Sequence, residues 1–88
     1  MNNMNTHIVI SRHLSVDGTT TYYVIEKNKN SSSIVWSGVN KQAAYQVAYR
    51  NARKANSPLY DTVYNVETDR NGVKHIIPVR NELLEVTE

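Results

Sequence analysis

The 88-residue chain has no cysteine and no phenylalanine, and only three glycines, two prolines and one tryptophan. Without cysteine there is no disulfide, no thiolate metal site and no cysteine nucleophile, and a cytoplasmic location is the expectation. Uninterrupted apolar runs are only a few residues long, so nothing in the sequence spans a membrane. The Asn-rich opening, residues 1–6, is not a signal peptide and reads as disordered. A single domain of this length buries about 60% of its unfolded surface, which leaves little room for a deep enclosed pocket.

Catalytic and metal signatures are missing too. His7 and His13 lie on one predicted strand, about 20 Å apart at ~3.3 Å per residue, and cannot share an ion within one chain. His75 falls inside an apolar stripe and reads as a core-edge histidine. No Gly-x-Ser-x-Gly elbow occurs. Glu67 and Asp69 share a solvent face where nothing would raise a carboxyl pKa. Gly18, Gly38 and Gly72 are isolated, and none begins a phosphate-cradling loop. The expectation is a chain that is not an enzyme and holds no metal and no cofactor.

What is present is a set of turn and period signals. Apolar residues alternate over His7 to Leu14 and again over Thr19 to Lys27, with Asp17-Gly18 between them, which predicts a hairpin. A two-residue loop there sets Ile10 opposite Ile25, Arg12 opposite Tyr23 and His13 opposite Tyr22. After a polar loop, Ser32 to Gly38 predicts a third strand with Ile34 opposite Ile25 and Trp36 opposite Tyr23. Ile8, Ile10, Tyr23, Ile25, Ile34 and Trp36 then share one face.

Asn40 is the expected N-cap of a helix over Lys41 to Ala55, with Val39 placed to staple against Ala44. Ala44, Val47, Ala48, Ala52 and Ala55 recur at helical spacing as a narrow stripe of small residues, and Asn56-Ser57-Pro58 ends it. A second hairpin follows around Asn71-Gly72. A two-residue loop pairs Tyr64 with Val79, Val66 with Ile77, Thr68 with His75 and Asp69 with Lys74, the last as an ion pair. The predicted fold is α+β, an antiparallel sheet with one helix packed on one face, in the order β-β-β-α-β-β. One domain over residues 7–80 carries an acidic tail at 81–88.

Tyr22-Tyr23-Val24-Ile25, Trp36, Ala43-Ala44, Ala48, Ala52-Arg53, Ser57-Pro58-Leu59 and Asn71-Gly72 together resemble a family of very short bacterial and phage proteins of unknown function. That resemblance covers roughly residues 20–77 and implies a hairpin-helix-hairpin fold rather than an activity. An extra first strand and a longer acidic end depart from it. Three strands followed by a helix are also similar, in element order, to the arm-site DNA-binding domain of phage integrases.

Two surfaces are left for function. Residues 1–60 hold seven Lys/Arg against Asp17 and Glu26, whereas 61–88 hold three against six acids. Arg50, Arg53 and Lys54 lie opposite the alanine stripe with no acid between Val39 and Asn56, a cationic ridge suited to an anionic partner such as nucleic acid. The expected outer sheet face carries Val9, His13, Tyr22, Val24 and Val35, an apolar patch suited to a protein partner or to self-association. The sequence thus points to a small non-enzymatic binding module. A phage or mobile-element accessory protein that binds and inhibits a protein or nucleoprotein is the expectation, and a nucleic-acid-binding domain is the alternative.

Overall fold

The computed structural model describes residues 6–86, so most of the stretch expected to be disordered, 1–6, and the last two residues of the expected tail lie outside the described residues. Five strands and one helix follow in the order β1 (His7–Leu14), β2 (Thr20–Lys27), β3 (Ser32–Gly38), α1 (Lys41–Ala55), β4 (Leu59–Thr68) and β5 (Lys74–Leu84). The fold is α+β with the predicted element order. The strands form one sheet, β3-β2-β1-β4-β5. All neighbours are antiparallel except β1 and β4, which run parallel through Ile8 opposite Leu59, Val9 opposite Tyr60 and Ile10 opposite Asp61.

Both hairpin registers differ from expectation by one residue, for a shared reason. A two-residue type I′ loop needs positive φ at both central positions. Asn56 is the one non-glycine with positive φ among the described residues, so neither Asp17 nor Asn71 meets that need. Each turn instead places glycine alone in the left-handed position, Gly18 at φ 92° and Gly72 at φ 82°. The Gly18 amide donates to the Ser15 carbonyl (3.0 Å) and the Ser15 amide to that of Thr19 (2.8 Å), closing a type I turn followed by a bulge. The second hairpin repeats this, with Gly72 donating to Asp69 and Asp69 to Val73. The side-chain carboxylates of Asp17 and Asp69 accept from backbone amides within their own turns.

A one-residue slip reverses the faces of a strand. Ile10 lies opposite Val24, Arg12 opposite Tyr22 and His13 opposite Thr21. Val24 and Tyr22 therefore turn toward the helix, while Tyr23 and Ile25 turn away from it. In β3, Ile34 does lie opposite Ile25 as expected, but a bulge at Val35 then sets Trp36 opposite Val24 rather than Tyr23. The second ribbon pairs Tyr64 with Pro78, Val66 with Ile76 and Thr68 with Lys74 near its turn. A bulge at Val79 restores the expected alignment from Val63 opposite Arg80 to Leu59 opposite Leu84. Residues 81–84, expected as tail, are thus strand, and Leu84 and Val86 pack against the core.

The helix begins where expected, with the Asn40 side chain accepting from the Ala43 amide (3.0 Å). Val39 forms no buried staple and stays largely exposed. The helix ends at Asn56 in the left-handed conformation, where the Asn56 amide reaches the Arg53 carbonyl and the Ser57 amide that of Ala52, a Schellman arrangement. Ala44, Ala48 and Ala52 are buried against Ile8, Ile10, Val24 and Leu59, and their small size lets the helix axis approach the sheet. Trp36 closes one side of this core, and its indole lies 2.9 Å from where a Cβ on residue 38 would sit, so any side chain in place of Gly38 would have to displace the ring.

The register decides which valine or isoleucine carries stability. Val24 is fully buried and Ile34 is 61% exposed. Urea unfolding should show Val24→Ala losing about 2 kcal/mol and Ile34→Ala less than about 1 kcal/mol. Equal losses would contradict this register.

Candidate functional site

Three features stand out, and the first was not expected. The parallel ladder between β1 and β4 stops at Ile10 and Asp61, and beyond it the strands separate. The Arg12 amide, which continues β1, donates instead to the Tyr64 hydroxyl (3.0 Å). The Arg12 guanidinium reaches Asp61 (3.3 Å) and the Tyr45 hydroxyl (3.3 Å), and lies 5.2 Å and 5.6 Å from the ring centres of Tyr22 and Tyr64. Tyr45, from the helix, donates to the other Asp61 oxygen at 2.5 Å. Arg12 Nε is buried without a hydrogen-bond partner, so the flanking rings take the place of hydrogen bonds there. Arg12 continues the inward row Ile8, Ile10, and that parity is the sequence signal by which it could have been found.

In this cluster the Arg12 guanidinium and the Asp61 carboxylate face each other, with Tyr45 on both. Burial, with help from the Asp61 carboxylate, pushes the Tyr45 hydroxyl up to about 12, away from neutral pH. The cleft beside it, about 380 Å³, is open and is walled by Val63, Val66 and Ile76 on one side and Lys41 and Tyr45 on the other. At the far hairpin His75 is exposed and pairs with Asp69 (2.8 Å). It is not the core-edge residue expected, and Asp69 does not pair with Lys74. The histidine, with the turn amide of Val73, holds the Asp69 carboxyl below its usual range. Among the described residues no group of three or more His, Asp or Glu is placed to hold a metal ion.

The helix ridge stands as expected. Arg50, Arg53 and Lys54 are exposed, and the ion pairs among the described residues, Arg12–Asp61, His75–Asp69 and Arg80–Glu82, involve none of them. Gln42, Gln46 and Tyr49 continue that surface toward the helix start.

The outer sheet face keeps its expected character but changes its residues. Val24 is in the core and Tyr22 covers Arg12, so neither is available on that face. Val35, at its bulge, borders a hollow with Ile8, Glu26, Asn51 and Lys54 on the helix side. All three shifts follow from the three-residue first turn and the β3 bulge. Val9 and His13 do face outward, Val9 being only 3% exposed and His13 exposed.

In their place the register aligns Ile34, Ile25, Val9, Tyr60 and Leu83, one residue from each strand, in a single row across the sheet. The row's ends, Ile34 and Leu83, are 61% and 67% exposed. Beside it His7 packs edge-on against Tyr60, 5.5 Å between ring centres. The residues that register places on this side of β1 to β3 and the near part of β4 and β5 include no acid. Lys27 is the one lysine or arginine among them.

The chain is a small α+β protein whose helix packs on one sheet face, with no described helix or strand packed on the other, and no described helix is long and apolar enough to cross a membrane. Comparison with family profiles, with curated proteins and with solved structures gave no match.

The Tyr45 shift has a defined sign. A hydroxyl raised from 10 to about 12 on folding keeps its proton longer in the native state, so its contribution is whole below pH 10 and is lost as pH rises toward 12. Subtracting the stability of Tyr45→Phe from that of the wild type across pH 9 to 12.5 should leave a difference that falls over this window. A flat difference would mean that Tyr45 is not held neutral by this site.

Proposed function

We propose that the chain is a non-enzymatic binding module whose working surface is the outer face of its sheet and whose ligand is a protein surface. The row Ile34, Ile25, Val9, Tyr60 and Leu83 carries this reading. Isolated exposed apolar residues are ordinary on any protein, but here exposed Ile34 and Leu83 and half-buried Ile25 and Tyr60 lie in one row on either side of buried Val9, and contiguous apolar patches mark contact sites. The flanking side chains, Ser11, Tyr23, Ser37 and Thr62, are neutral hydrogen-bonding groups, so covering this face strands little charge.

A second reading is favoured by the unpaired cations of the helix. Arg50, Arg53 and Lys54 on an acid-free helix suit a polyanion such as nucleic acid, held through its phosphates without base readout. The two surfaces are on opposite sides of the molecule and do not compete.

A photo-crosslinking residue at position 34 or 83 should give protein adducts in cells, while one at position 70 in the far turn should give none. Adducts from 70 alone, or the same set from all three, would overturn the sheet-face reading. For the helix, neutralising Arg50, Arg53 and Lys54 together should lower the salt slope of any nucleic-acid binding by about 0.9 for each phosphate that no longer meets a cation. An unchanged slope would remove that reading.

A further inference from the structure

We infer that the occupant of the outer sheet face is a second copy of this chain, the two sheets packing face to face about a two-fold axis. This rests on the reading of that face as the working surface and names its partner.

Three observations favour a copy. The first is self-complementarity. A two-fold axis lying in the interface along β1 sets Ile25 against Tyr60 and Ile34 against Leu83 on either side of Val9, which at 3% exposure adds little contact of its own, so apolar meets apolar on the strands flanking β1. The second is charge. Like surfaces repel when they carry a net charge, and this face, with Lys27 as its one lysine or arginine and no acid, brings little charge to its own copy. The helix side, with Arg12, Glu26, Asp61, Arg80 and Glu82, is far more charged.

The third is area. Five strands at about 4.8 Å spacing, about 25 Å long in β1 to β3 and about 17 Å in the near parts of β4 and β5, present about 520 Å² a side and about 1,050 Å² in all, near the floor of about 1,000 Å² for a biological interface. Sheets stacked this way sit about 10 Å apart, the spacing at which inward side chains interdigitate. The resulting sandwich leaves both helices outside, with Arg50, Arg53 and Lys54 free on each.

Sedimentation of the full chain at about 10 to 300 µM, where an interface of this size associates, tests the inference. The wild type should run as a dimer. Ile34→Lys with Leu83→Lys should raise the dissociation constant about 100-fold or more, because charges would be buried unpaired. Both positions are exposed, so at protein concentrations below the wild-type dissociation constant the variant should keep the wild-type urea midpoint, while at higher concentration only the wild type should gain stability. Ile34→Ser with Leu83→Ser should weaken the dimer in the same direction without adding charge. Val66→Lys, an exposed apolar position on the far ribbon, should change nothing.

A wild type that is monomeric throughout, a double variant that stays dimeric, or a dimer broken by Val66→Lys would each overturn the inference. Titration with the hydrophobic dye ANS separates this failure from that of the wider reading. A monomer whose dye binding disappears in the lysine variant retains an open face for a different protein. A monomer with no dye binding at that face loses both.

Discussion

The short parallel contact between β1 and β4 is the constraint on which the rest of the fold depends. Three residue pairs, with the Ile8 amide also reaching the Pro58 carbonyl, join a three-stranded meander to a two-stranded ribbon. Neither part alone has much to stabilise it, and a lone ribbon is marginal in water. Ile8, Ile10 and Leu59 at the junction are buried beneath the helix, so the seam of the sheet is also the centre of the core. The junction dictates the helix as well. The chain leaves β3 at one edge and must return beside β1, and α1 is the crossover that carries it over the meander. One crossover covers one face. That no described helix or strand packs on the opposite face is therefore a consequence of the topology.

Past Ile10 the ladder is replaced by side chains. Tyr64 accepts the amide hydrogen bond that a β4 carbonyl would otherwise take, and this brings a ring over the Arg12 guanidinium. Arg12 on the inward side of β1 needs a counter-charge, and Asp61 supplies it from the last residue of the parallel ladder. Tyr45 ties the pair to the helix. A half-buried ion pair of this kind fixes geometry more than it adds stability. Its role here is to set where the two strands part.

Much of the architecture was legible because its signals are local. Asn40 before an acid-free helix, alanines at positions 44, 48 and 52, and two Gly-containing turns between alternating runs each name an element without reference to the others. Register was not legible. Asp-Gly and Asn-Gly fit a two-residue loop with two left-handed positions and a three-residue loop with one, and the sequence does not separate them. The bulges at Val35 and Val79 leave no mark in the pattern. The one-residue slip moved residues without changing the surface, because Tyr22-Tyr23-Val24-Ile25 is apolar at both parities. Either alignment buries one pair and exposes the other. The outer face was thus predictable as apolar, while its expected members Tyr22 and Val24 lie inward and Ile25 and Ile34 stand in their place. The Arg12 cluster joins four segments distant in sequence, and no spacing rule reaches across them.

The same bulges bear on how such a sheet associates. An open sheet offers two sticky features, its apolar face and the unpaired backbone of its edge strands. Here β3 is one edge and β5 the other, and each is interrupted, β3 at Val35 and β5 at Val79 directly after Pro78, which has no amide hydrogen to donate. A bulge twists an edge away from flat pairing, and in β3 serines at 32, 33 and 37 flank the apolar middle on both sides. The far ribbon adds charge, with Arg70, Lys74 and Arg80 set among Glu67 and Asp69. Edge-to-edge growth, which has no natural end, is thereby discouraged at both sides. Face-to-face contact terminates with a single partner, and it is the mode of association that this distribution of bulges, proline and apolar side chains leaves open.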